Sequence, residues 1–124
     1  MANAKKIIYE RKKELQQFEE LVAGLPGLER KGATVPYTSL NGHMFANLTK
    51  EGILQLRLPD GEREKFIRKY KTGLSEAYGI IRKEYVDVPE KLLANTRELK
   101  PYFLISFNYI RTLKLKATTR KAKR

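Results

Sequence analysis

The chain contains no cysteine and no tryptophan, and it has one histidine. No stretch approaches the roughly 18 uninterrupted apolar residues that a membrane span requires. Without cysteine there is neither a disulfide framework nor thiolate chemistry, which suits a reducing compartment and leads to an expected cytoplasmic location. The opening MANAKKIIYERKKEL turns charged at once and does not read as a signal peptide. With His43 alone, a Ser–His–Asp site would need a serine from Ser39, Ser75 or Ser106 and Asp60 or Asp87 to orient the imidazole. Ser39 lies near His43 across a turn, but neither aspartate has a natural route there. Metal binding is no better served: there is no Cys/His spacing, Asp-rich loop or His-Glu-x-x-His element. The glycines occur singly, not as a phosphate-cradling run. Glu62 and Glu64, like Asp87 and Glu90, read as helix starts, where carboxylates complement the dipole. The expectation is a protein without catalytic side chains, metal or cofactor.

What is present is a chain of 124 residues, 41% hydrophobic and 32% charged, a balance that supports one folded domain. The net charge is +12, and it is unevenly placed. Residues 111–124 carry seven bases and no acid, residues 1–14 carry five bases and two acids, and residues 15–110 net only +2. Basicity therefore belongs to the ends, which does not fit a domain whose whole surface is shaped for nucleic acid.

Along the chain, Ile7, Ile8, Leu15, Phe18, Leu21 and Val22 recur near helical spacing, and Gly24, Pro26 and Gly27 end that helix. Thr34–Thr38 reads as a strand placed at a sheet edge by Pro36, which cannot donate to a ladder. Asn41-Gly42 is the dipeptide best suited to a tight hairpin turn. His43–Leu48 and Ile53–Leu58 follow as strands, separated by a turn over Thr49–Gly52. Pro59-Asp60-Gly61 opens a second helix carrying Phe66, Ile67 and Tyr70. Two short strands are expected near 78–82 and 83–88, with no good turn dipeptide between them. Pro89–Ala94 reads as a short helix, and a last helix is expected from near Pro101, carrying Phe103, Phe107, Ile110 and Leu113. Residues 1–113 thus form one domain, followed by a basic tail over 114–124. The fold class is α+β: a two-layer, mainly antiparallel sheet with helices in the order α-β-β-β-α-β-β-α.

Three segments sharpen this reading: Asn41-Gly42-His43-Met44-Phe45-Ala46, Leu54-Gln55-Leu56-Arg57-Leu58-Pro59 and Lys83-Glu84-Tyr85-Val86-Asp87-Val88-Pro89. Over roughly residues 30–113 the chain resembles the N-terminal domain family of the TfoX/Sxy competence regulators. Many members carry Met-Phe-Gly-Gly at the first strand, where Val35-Pro36-Tyr37-Thr38 stands here, and no counterpart of the regulators' C-terminal domain is present. The resemblance implies a two-layer fold of the kind also seen in secretion chaperones.

Strand alternation suggests one binding surface. If Met44, Ala46, Leu48, Leu54, Leu56, Leu58, Val86 and Val88 face the helices, then His43, Phe45, Arg57, Lys83 and Tyr85 turn outward together. An open face of aromatics and bases can stack unpaired bases and hold phosphates. It can equally be covered by a second protomer, a terminal segment or the last helix. In the tail, Lys114, Lys116, Arg120, Lys121, Lys123 and Arg124 are either a solubilising extension or a polyanion contact without sequence readout. Two functional readings result. The first is a non-enzymatic binding or regulatory domain of the TfoX N-terminal type, acting on an unidentified protein partner or as a homodimer. The second is a small nucleic-acid-binding protein using its basic ends, with or without the sheet face.

Overall fold

The computed structural model describes residues 9–32 and 34–113. The expected helical positions Ile7 and Ile8 and the six tail bases from Lys114 onward lie outside the described residues. The elements run α1 (Lys12–Ala23), β1 (Tyr37–Leu40), β2 (His43–Leu48), β3 (Leu54–Arg57), α2 (Asp60–Tyr70), β4 (Leu74–Ala77), β5 (Ile80–Val88), α3 (Glu90–Ala94) and α4 (Thr96–Arg111). The order is the expected one, and the five strands form an antiparallel sheet in the order β1-β2-β3-β5-β4. Among the described residues no helix is long and apolar enough to cross a membrane.

The core follows from period-two strands facing amphipathic helices. Ala46 pairs with Leu56 and Leu56 with Val86; Leu48 pairs with Leu54 and Leu54 with Val88. These six side chains are buried against Leu15, Phe18 and Leu21 of α1, Leu92 and Leu93 of α3, and Leu99, Phe103 and Ile110 of α4. Pairs opposite one another in a ladder share a face, so one register slip would expel the whole set.

The Asn41-Gly42 turn forms as expected, with φ of 56° and 83°, both in the left-handed region that a two-residue hairpin of this twist needs. Strand β1 begins three residues later than expected, yet it is an edge strand. Pro36 sits just outside it and contributes only its carbonyl, which accepts from the Leu48 amide at 2.9 Å.

Strand β2 departs from strict alternation. Thr38 pairs with Ala46 but Ser39 pairs with Met44, so Phe45 is an extra residue, a β-bulge. The bulge turns Phe45 into the helix layer, where it is fully buried, its ring centroid 5.5 Å from Phe103 and 6.0 Å from Phe107. The expectation that Phe45 faces outward is therefore corrected: alternation holds only while both strands advance one residue at a time.

Two further boundaries differ. The last two strands are joined by Tyr78-Gly79, with φ of 55° and 77°, and not by a break near 82–83. Glycine at the second central position suffices for the turn even though tyrosine is a poor occupant of the first. Helix α4 starts a turn and more before Pro101. The Asn95 side chain accepts from the Glu98 amide at 3.3 Å and donates back to its carboxylate, a reciprocal cap. That cap and the burial of Leu99 offset the hydrogen bond that Pro101 cannot donate.

The bulge has a direct test. Phe45→Ala should cost about 3–5 kcal/mol and Leu56→Ala about 2–5 kcal/mol in urea melts, since both empty packed sites. A Phe45→Ala loss below about 1 kcal/mol would place that ring in solvent, as unbroken alternation demands.

Candidate functional site

The outer face of the sheet is closed by the protein's own hairpin. Leu74 pairs with Val86 but Ser75 pairs with Arg82, leaving three surplus residues on β5. The surplus lets the β4–β5 hairpin bend back over β3 and β2. Arg82 lies five residues from Asp87, roughly 16 Å along a straight strand. Nevertheless its guanidinium reaches the side chains of Gln55, the ladder partner of Asp87, and of Asn47 one strand further.

The contacts form a closed polar seam. One Arg82 nitrogen donates to Asn47 Oδ1 at 2.9 Å and to Gln55 Oε1. Asn47 Nδ2 donates to the same Gln55 oxygen at 3.2 Å, and Gln55 Nε2 donates to the Glu76 carbonyl at 3.1 Å. Ser75 donates to Asp87 Oδ1 at 2.8 Å, and Thr72 to the Asp87 carbonyl at 2.7 Å. The Arg82 guanidinium lies 3.6 Å from the Tyr85 ring centroid, and the Tyr85 hydroxyl donates to the Met44 carbonyl at 2.6 Å. Asn47, Gln55 and Ser75 are all buried, so each polar atom in the seam needs its partner.

The five residues expected on an open face are dispersed. Phe45 is in the core. Tyr85 lies under Arg82. Arg57 pairs with Glu84 at 2.6 Å and lies 5.8 Å from the Tyr109 ring of α4. His43 is half-buried beside the first hairpin turn, and Lys83 is exposed on β5. No stacking platform results. Of the serines considered with His43, Ser39 accepts from Lys31 at 3.2 Å and Ser75 donates to Asp87, while Ser106 is buried on α4 with its hydroxyl making no hydrogen bond. Among the described residues no group of three His, Cys, Asp or Glu side chains is placed to hold a metal ion.

Two surfaces stand out that sequence reasoning did not find. The first is the hairpin tip. Tyr78 is fully exposed, Ile80 is 68% and Ile81 48% exposed, with Leu74 open at the base of β4. Its sequence signal is the run Tyr78-Gly79-Ile80-Ile81, an apolar cluster around a turn glycine. The second is a shallow recess of about 540 Å³ beside α2, lined by Glu62, Lys65, Arg68, Lys69 and Tyr102. Its Tyr102 belongs to an aromatic cluster in which Phe66, Tyr70 and Tyr102 meet at centroid distances of 4.7, 5.1 and 5.7 Å. Tyr70 donates to Glu98 at 2.7 Å.

Comparison with protein-family models, characterised proteins and solved structures found no match. The likeness to the TfoX/Sxy N-terminal domains therefore rests on the three quoted segments alone.

Burial holds the Tyr85 phenol above its ordinary value, outweighing the opposing charges of Arg82 and Arg57. Burial, then hydrogen bonds with Tyr102 and Glu98, pushes Tyr70 up much further. A phenol that the fold keeps neutral contributes stability that is complete below the unfolded value of about 10 and is lost as pH rises through the folded value. Stability should thus fall above pH 10 or so. Tyr85→Phe should cost about 0.5–1.5 kcal/mol at neutral pH through its lost hydrogen bond and should flatten that alkaline fall. Urea midpoints of both proteins between neutral and strongly alkaline pH check this. Parallel curves would mean that Tyr85 ionises as freely folded as unfolded.

Proposed function

We propose that the protein is a non-enzymatic binding domain that docks an acidic polypeptide through the tip of its β4–β5 hairpin. The observation that carries this reading is Tyr78: a fully exposed aromatic ring on a backbone with φ of 55°. The left-handed region costs a side chain such as tyrosine about 1–2 kcal/mol, and asparagine would occupy it more cheaply. Ile80 and Ile81 extend the ring into one apolar patch, and aromatic anchors beside aliphatic ones are what protein interfaces bury at their centres. The seam beneath the hairpin presents the patch on a preordered support, which lowers the ordering cost of binding.

Long-range charge favours an acidic class of partner. A second copy would bring together two chains of net charge +12 each, with Lys83 exposed beside the patch. Like charges at that density oppose association, whereas an acidic partner gains from both attraction and apolar burial. A regulatory role of the TfoX N-terminal type in the cytoplasm is compatible with such docking and rests on analogy of fold and motif.

The test uses a photo-crosslinking residue in place of Tyr78, expressed in the native host, with Ile80→Asp/Ile81→Asp as control. The expected result is an adduct with one acidic protein that vanishes in the control and survives removal of residues 114–124. Adducts only between copies of the chain, or none, would overturn the reading. Tyr78→Asn should leave the thermal midpoint unchanged or slightly raised while weakening affinity for the captured protein, because relief of backbone strain opposes loss of the anchor.

A further inference from the structure

The recess beside α2 is separate from the hairpin and carries its own chemistry. Lys65, Arg68 and Lys69 stand three and four positions apart, so they project from one face of α2. Tyr102, from α4, supplies the facing wall. The two sides differ in rigidity. The Tyr102 ring is held edge-on by Phe66 at 5.1 Å and by Tyr70 at 5.7 Å, and Tyr70 is itself tied to Glu98. The three cations are exposed.

Their charge is only partly balanced. Glu62 approaches Lys65 at 3.7 Å, while Lys69 lies over the Tyr70 ring at 5.4 Å. The lining residues therefore keep a surplus of two positive charges around a fixed aromatic wall. A purely apolar ligand would strand those charges, and a simple anion would leave the ring unused. A ligand that brings both a flat ring and flanking anions uses all four side chains.

We propose that this recess binds an unpaired nucleotide of single-stranded nucleic acid, its base stacked on Tyr102 and the adjoining phosphates held by Lys65, Arg68 and Lys69. Aromatic–base stacking combined with a cationic track is the general means of holding single strands without sequence readout. A duplex keeps its bases stacked inward and offers only phosphates, so it forgoes the tyrosine. The six bases of residues 114–124 would add to the attraction of any polyanion but contribute no stacking.

Fluorescence anisotropy of a labelled oligothymidylate with the full chain, over a series of salt concentrations, tests this. Lys65→Gln/Arg68→Gln/Lys69→Gln should weaken binding about tenfold or more near 50 mM salt, and should flatten the slope of log affinity against log salt by about two units. Tyr102→Leu should weaken the single strand but not a duplex of equal phosphate number. The surface triple variant keeps the test valid should Tyr102→Leu impair folding. Deleting residues 114–124 should lower affinity for single strand and duplex alike and leave the effect of the triple variant in place. Absence of binding by the full chain, unchanged binding by the triple variant, or equal preference for duplex would each overturn the proposal.

Discussion

A guanidinium that leaves bulk water must find acceptors for its protons, and Arg82 finds them in two neutral amides, Gln55 on the neighbouring strand β3 and Asn47 on β2 one strand further. That requirement shapes the outer half of the molecule. To place Arg82 over Gln55 and Asn47, β5 must coil back across the sheet, and the three surplus residues at its bulge allow it to do so. Once the hairpin lies there, Gln55 satisfies the Glu76 carbonyl, Ser75 meets Asp87, and Tyr85 is trapped beneath the guanidinium. The seam is cooperative in that each amide both gives and receives a hydrogen bond. Removing one member strands the others in a buried environment, where an unpaired polar group costs about 1–3 kcal/mol. Closing one face by a polar seam also decides what is left to bind partners: the tip that carries the seam, not the face that it covers.

Much of the helix-facing layer was legible in the amino-acid sequence because its causes are local. Asn41-Gly42 demands a tight turn, Pro36 demands an edge, and Leu54, Leu56, Val86 and Val88 repeat with the period of a half-buried strand. The errors have non-local causes. Phe45 reads as outward by alternation, and only the pairing of Thr38 with Ala46 and Ser39 with Met44 reveals the extra residue. Tyr78-Gly79 carries half of a turn signature, and the tertiary demand for a hairpin overrides the poor fit of tyrosine. Pro101 suggests a helix start, yet the Asn95 cap lies six residues earlier and prevails. The candidate sites were the least legible. Asn47, Gln55 and Arg82 each look like ordinary solvent-facing residues, and nothing in their spacing announces that they meet. The cations of α2 read as a solvated helix face until Tyr102, contributed by α4, supplies the facing wall.

The division of surfaces also accounts for the distribution of charge. Residues 15–110, which hold the sheet and nearly all of the helices, are close to neutral, and the excess lies toward the ends. A near-neutral body lets the core and the seam form without strong self-repulsion. The cationic ends enhance long-range attraction to acidic surfaces without dictating what is recognised. Recognition then falls to short-range features: the apolar tip on one side of the sheet, and the tyrosine-walled recess within the helix layer.

The coupling between Arg82 and Gln55 tests the seam most directly. A double-mutant cycle would compare the urea stabilities of the parent, Arg82→Ala, Gln55→Ala and the double variant. The account predicts an interaction energy of about 1 kcal/mol or more, because each single change strands the same hydrogen-bonded partners that the double change removes together. Additive effects, within about 0.3 kcal/mol, would mean that the hairpin does not rest on the sheet through this contact, and the closed outer face would be contradicted.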